Sequence, residues 1–217
     1  MIIAPVINGT DAPAEHEIFV QDRFAIGFWV DPPADENMDR HYAEIAAARF
    51  TTVIGGFGAK TPETVRMQLN LCEKYDLKAI VATAGLPASE LPESSAVWGY
   101  KIRDEPSMKD FPRLRDTVKD IRKTRPGKLA YINLFPNYAD EQQLGTSTYD
   151  EHVRRFVQEV NVDVLCMDHY PKMMPDADSR DSYCQNLEVM RKYSLRQGIP
   201  FWNFFNTMPF GSHYDPT

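Results

Sequence analysis

Seven short runs rich in β-branched and aromatic residues recur 20 to 37 residues apart, and most are followed by a helical pattern. They begin near Phe24, Thr51, Leu77, Val97, Leu129, Val162 and Ile199. Strand and helix alternating at this pitch is the mark of βαβ units, which force a parallel sheet because each crossover helix returns the chain to the same end. The runs are almost continuously apolar (FAIGFWV, LKAIVA, VDVLCM) rather than alternating, as expected of strands covered on both faces.

The intervening segments carry the helical period. Leu114, Val118 and Ile121 fall at i, i+4, i+7, and Val153, Phe156, Val157 and Val160 at i, i+3, i+4, i+7. Val65, Leu69 and Cys72 repeat the pattern behind Thr61-Pro62-Glu63, an N-cap followed by proline. Arg125-Pro126-Gly127 and Gly198 are helix stops. Residues 84–96 hold two prolines and no helical stripe, so the third helix is expected to be short or missing. The fold class that follows is α/β, a TIM-barrel-like (β/α) barrel over 24–217 behind an irregular leader at 1–23, with a short strand at Ile2–Ile7. Such barrels usually need about 250 residues, and this chain has 217. The residues after the seventh strand are too few for another helix and strand, so an eighth βα unit is expected to be missing. A barrel open between its first and last strands leaves two unpaired edges. Two copies covering each other's edges, a homodimer, is one expected remedy.

Composition narrows the function classes. Lys+Arg number 24 against 31 Asp+Glu, a net charge of −7, which disfavours nucleic acid and anionic membrane surfaces. No apolar run approaches the ~20 residues of a membrane-spanning helix. The N-terminus lacks the basic and apolar regions of a signal peptide, which points to a cytoplasmic chain as it stands, though a precursor could have carried one. Cys72, Cys166 and Cys184 have no metal-binding spacing and read as three buried thiols. Gly55-Gly56-Phe57-Gly58 is neither a Walker A sequence nor G-x-G-x-x-G.

In such barrels chemistry sits at the C-terminal ends of the strands. Polar groups there are Asp31, Asp104, Glu105, Asn133, Asp168, His169, Tyr170, Asn203 and Asn206. Trp29, Phe57, Phe135, Trp202, Phe204 and Phe205 are the aromatics in the same places. Carboxylates for proton transfer beside flat apolar faces suggest a carbohydrate ligand. His169 next to Asp168 does not make a metal site, since neighbours on a strand face opposite ways. No metal and no cofactor are expected.

The most specific segment is Val97-Trp98-Gly99-Tyr100-Lys101-Ile102-Arg103-Asp104-Glu105-Pro106-Ser107. It resembles the fourth strand of (β/α)₈-barrel glycoside hydrolases of the retaining β-galactosidase-like clan, nearest to bacterial glycosidase-like proteins with W-G-Y-x-x-x-D-E-P-S. Gly27-Phe28-Trp29-Val30-Asp31-Pro32-Pro33 and Asp168-His169-Tyr170-Pro171 are similar to strands one and six of the same enzymes. The resemblance implies that Glu105 is the general acid/base and that Tyr170 hydrogen-bonds a catalytic carboxylate. It also puts a nucleophile at the end of strand seven, yet no Asp or Glu occurs between Ile199 and Tyr214. Asp168, the acidic residue at the end of strand six, is the best substitute for the second carboxylate, the alternatives being that it binds a sugar hydroxyl or orients Tyr170 or Arg103. Trp29, Tyr170 and Trp202 are expected to form stacking walls, and Asp31, Asp104, Asn133 and Asn206 to contact substrate.

Three function classes remain from the sequence: a glycoside hydrolase, a non-catalytic carbohydrate-binding barrel that has lost its nucleophile, and another sugar-processing barrel enzyme such as an isomerase or aldolase. An aldolase would need a lysine inside the barrel. Lys101 lies on strand four but is expected to pair with a carboxylate.

Overall fold

The computed structural model describes residues 18–173, 177–178 and 180–204. Five parallel strands run in the order β1 (Gly27–Phe28), β2 (Thr52–Ile54), β3 (Lys78–Ala82), β4 (Val97–Asp104) and β5 (Leu129–Asn133). A second parallel pair holds β6 (Leu165–Asp168) and β9 (Phe201–Phe204). A parallel bridge from Leu134 to Met167 joins the two sheets. The seven strands expected from the sequence therefore follow one another in chain order around an incomplete (β/α) barrel. The hairpin β7 (Lys172–Met173) and β8 (Ala177–Asp178) is inserted after β6, where the sequence carried no signal for it. Among the described residues β1 and β9 exchange no ladder hydrogen bonds, so the barrel is open there.

The helices are α1 (Met38–Ala47), α2 (Pro62–Lys74), α3 (Phe111–Thr124), the single turn α4 (Glu141–Leu144), α5 (Tyr149–Val160) and α6 (Arg180–Gln197). Between β3 and β4 only a 3₁₀ turn forms, at Ala88–Glu90, as the prolines there require. Thr61 and Thr64 cap α2 reciprocally, and Pro62 opens it. The apolar stripes of α2, α3 and α5 are buried against the outer face of the sheet.

Alternation along the strands yields two cores. The outer one lies between sheet and helices. The inner one fills the barrel with Ile54, Ile80, Trp98, Leu129, Tyr131 and Cys166. Its base is closed by residues 18–23, the described part of the leader. Phe19 is buried edge-on against Trp98, with ring centroids 5.4 Å apart. Asp22 accepts from the Trp98 indole at 3.0 Å, and Arg23 donates to the carbonyl of Asp76 just before β3.

Two expectations need correction. Strand one is much shorter than FAIGFWV, because the Thr51 hydroxyl donates to Phe24 O and accepts from Ile26 N, so the ladder begins only at Gly27. Cys184 is exposed, whereas Cys72 and Cys166 are buried; all three are free thiols. The leader strand at Ile2–Ile7 lies outside the described residues.

Candidate active site

The inward faces of β4, β5 and β6 carry a polar group at their upper ends. Asp104 and Asn133 are register partners, and the Asn133 amide donates to Asp104 Oδ1 at 3.0 Å. Asp168 ends β6 opposite Phe204 of β9, and the Tyr170 hydroxyl donates to its Oδ2 at 3.2 Å. Asn133 Oδ1 and Asp168 Oδ1 are buried and accept no hydrogen bond among the described residues. Buried acceptors are rarely left this way without a role.

Glu105 follows β4 directly, with its N–H donating to Asn133 O at 2.8 Å. Its φ is +47°, in the left-handed region that costs a residue bearing a Cβ about 1–2 kcal/mol. Strain of this kind gathers at functional sites. The segment Asp104-Glu105-Pro106 does not cap the following helical turn. Ser107 and Asp110 do so instead, the Ser107 N–H donating to Asp110 Oδ2 at 3.1 Å. Both Asp104 and Glu105 are thus left to the barrel mouth.

Burial first, and the crowding of carboxylates after it, sets their protonation. Partial burial raises the Glu105 carboxyl to about 7, and the nearby negative charges of Asp168 and Asp104 push the same way. Burial also raises Asp168, to about 6, with Asp104 adding to it while the Tyr170 hydroxyl and Asn133 amide oppose it. Two neighbouring carboxyls thus change charge near neutral pH, one more acidic than the other.

The facing wall is aromatic. Trp29, just past β1, lies 4.6 Å from Phe204 and 6.3 Å from Phe57, all between ring centroids. Phe57 is exposed on the β2–α2 loop. The loop is held by Asp31, which is buried and accepts from the N–H groups of Phe57 (2.7 Å), Gly58 (3.1 Å) and Ala59 (2.7 Å). Asp31 is therefore turned into the loop, and it presents Phe57 rather than its own oxygens. Gly58 is required there because a Cβ would fall on Pro32 O.

Trp202 sits one inward layer below Phe204, near-parallel to Trp98 at 5.8 Å, and its indole donates to Gln21 Oε1 at 3.1 Å. It belongs to the inner core and is not brought to the mouth with Trp29. Asn203 faces outward, donating to Tyr183 on α6, and Asn206 lies outside the described residues. Phe135 packs in the outer core. His169 also points outward, its Nδ1 3.0 Å from Asn186 Oδ1 on α6. Among the described residues no three His, Cys, Asp or Glu gather as metal ligands, and no helix is long and apolar enough to cross a membrane.

Sequence reasoning missed Tyr138. It stands half-exposed beyond β5 with its ring 5.0 Å from His169, and the negative charges of Asp168 and Glu105 help raise its phenol, already raised by burial, to about 12. Nothing in the spacing of its loop marks it. Lys101 lies on β4 as expected and faces inward, but among the described residues it forms no ion pair with a carboxylate. Its Nζ lies 4.0 Å from the Trp29 ring centroid.

No protein-family model matches the sequence, and neither does any curated protein. Solved structures do resemble the fold. A provisionally assigned α-L-fucosidase from Bacteroides thetaiotaomicron superposes with a TM-score of 0.52 at 13% identity, covering 94% of this chain and 78% of that one. A β-mannanase from the blue mussel Mytilus edulis superposes at 0.49 with 9% identity over 86% and 87% of the two chains. A D-tagatose 3-epimerase-like protein reaches 0.44 at 10% identity, over 82% and 79%. At these identities the likeness is one of fold, and the chain carries an incomplete (β/α) barrel of the TIM type.

Proposed function

We propose that the chain is a glycoside hydrolase whose general acid/base is Glu105, with Asp168 as the second carboxylate. The observation that carries this reading is the pair of carboxyls raised to about 7 and about 6 at one barrel mouth. At neutral pH Glu105 still holds a proton much of the time, whereas Asp168 is mostly ionised. That division suits an acid that protonates the leaving oxygen and a base or charge stabiliser on the other side of the sugar. Tyr170 and Asn133 favour the ionised form of Asp168, and burial, with the charges of Asp168 and Asp104 behind it, keeps Glu105 protonated.

The aromatic wall of Trp29, Phe57 and Phe204 supplies flat faces for sugar rings, and the unfilled acceptors Asn133 Oδ1 and Asp168 Oδ1 suit sugar hydroxyls. The known folds that resemble this one include a provisionally assigned fucosidase, which agrees with the reading without fixing sugar or linkage. The test is hydrolysis of a panel of aryl glycosides and oligosaccharides by wild type and Glu105→Gln. Turnover by wild type, reduced at least about 100-fold in Glu105→Gln, supports the assignment. Equal rates remove Glu105 from the chemistry, and calorimetric sugar binding without turnover would assign a carbohydrate-binding barrel instead.

A further inference from the structure

Asp104 and Glu105 at the end of β4 and Asp168 at the end of β6 carry the acidic groups of the mouth, and the Lys101 ammonium, one inward position below Asp104, lies against the aromatic wall. Lys101 is in register with Tyr131 and shares its inward face. Its Nζ lies 4.0 Å from the Trp29 centroid and 5.4 Å from that of Phe57. Gly56 lines the same spot: a Cβ there would stand 3.9 Å from Nζ, and its φ of +121° is one that only glycine adopts readily.

Lys101 is half-buried, and among the described residues no carboxylate forms an ion pair with it and no oxygen accepts from it. Burial weighs against its charged form, and the charges of Asp104 and Asp31 partly offset this through space without bonding it. Asp31 is consumed by three backbone N–H groups, and Asp104 accepts from Asn133. An ammonium carries three donors. The cation–π contact with Trp29 and Phe57 fixes where the ammonium sits, and the N–H groups turned away from the rings are left to donate to a ligand, which an anionic acceptor fills better than a neutral one.

We propose that the substrate is an anionic sugar, with a carboxylate or sulfate group seated on Lys101 while its ring packs against the exposed Phe57. This rests on the reading of the mouth as a sugar site, but not on Glu105 being its acid. Lys101 acts here as a specificity-determining residue rather than as a nucleophile.

The test is isothermal titration of the full chain with D-glucuronate and D-galacturonate against D-glucose and D-galactose, with glucose 6-sulfate as a further arm. One uronate or the sulfate should bind at least about tenfold tighter than its neutral parent, as a charge-assisted hydrogen bond implies. Uronate preference alone assigns a carboxylate, and sulfate preference alone a sulfate. Lys101→Gln should bring the ratio of charged-sugar to neutral-sugar affinity to about one, and Lys101→Arg should restore part of the preference. Equal affinity for charged and neutral sugars in wild type, or a preference that survives Lys101→Gln, overturns the proposal. Hydrolysis of neutral glycosides with no anion preference would sink this inference alone, and anion-selective binding without turnover would sink the hydrolase reading alone.

Discussion

At the residue scale the decisive group is Glu105, whose position is costly twice over, in backbone and in charge. Its carboxyl near 7 and that of Asp168 near 6 give kcat/KM a narrow bell. The acid limb rises as Asp168 ionises and the alkaline limb falls as Glu105 loses its proton, so activity should peak between about 6 and 7. Asp168→Asn removes the neighbouring charge that acts most strongly on Glu105 and should move the alkaline limb of any residual activity to lower pH. Stability has the matching sign. A carboxyl whose value in the folded chain exceeds its ordinary 4.5 favours folding while protonated, and that advantage is lost as pH rises through about 7. Glu105→Gln should therefore melt close to wild type at pH 4 and above it at pH 8, by differential scanning calorimetry. Glu105→Gly should gain further at both pH values, by about 1 kcal/mol, because glycine adopts a φ of +47° freely. A melting temperature below wild type for both variants at pH 8 would contradict this picture of a strained, charge-crowded residue.

At the scale of elements, the helices were the most legible part of the chain. The stripes Val65-Leu69-Cys72, Leu114-Val118-Ile121 and Val153-Phe156-Val157-Val160 are all buried, since one period serves both sequence and surface. Strand one was less legible because a side chain, Thr51, replaces part of its ladder, and hydroxyl competition leaves no periodic trace. The β7–β8 hairpin was invisible because two-residue strands are too short for alternation to register. Asp104 and Glu105 were singled out by the Asp104-Glu105-Pro106 triplet and Asp168 by its place at the end of strand six, whereas the hydrogen bonds that engage Asp31 and Trp202 left no mark in the sequence. Both are polar-tipped residues at strand ends, and only the fold shows that backbone amides and Gln21 claim those tips. Two substitutions test this level. Asp31→Asn cannot accept on both arms of the side chain and should cost about 1–3 kcal/mol, with a raised KM as Phe57 loosens. Gly99→Ala would drive a Cβ to within 2.4 Å of Leu129 O, and β4–β5 register should give way at a cost of about 1–3 kcal/mol.

The whole molecule is a barrel of seven parallel strands among the described residues, with its gap spanned by side chains. The Trp29–Phe204 contact reaches across the β1–β9 opening at the mouth, and Phe19 plugs the base under Trp98. Phe19→Ala should thus destabilise the fold by about 3–5 kcal/mol, as for a core residue, although Phe19 lies in the irregular leader. A loss under about 1 kcal/mol in chemical denaturation would show that the base is closed some other way. Barrel class and strand number could be read from pitch alone; which end each aromatic fills could not, because alternation marks a face and not a level.

The account turns on the coupling of Glu105 to Asp168, and this can be measured without knowing the substrate. Carboxyl ¹³C NMR of glutamate-labelled protein, with Glu105→Gln used for assignment, follows Glu105 through a pH titration. It should titrate near 7 in wild type and fall toward the ordinary glutamate range in Asp168→Asn. A Glu105 resonance that titrates near 4.5 and ignores the Asp168 substitution would contradict the assignment of this pair as the catalytic centre.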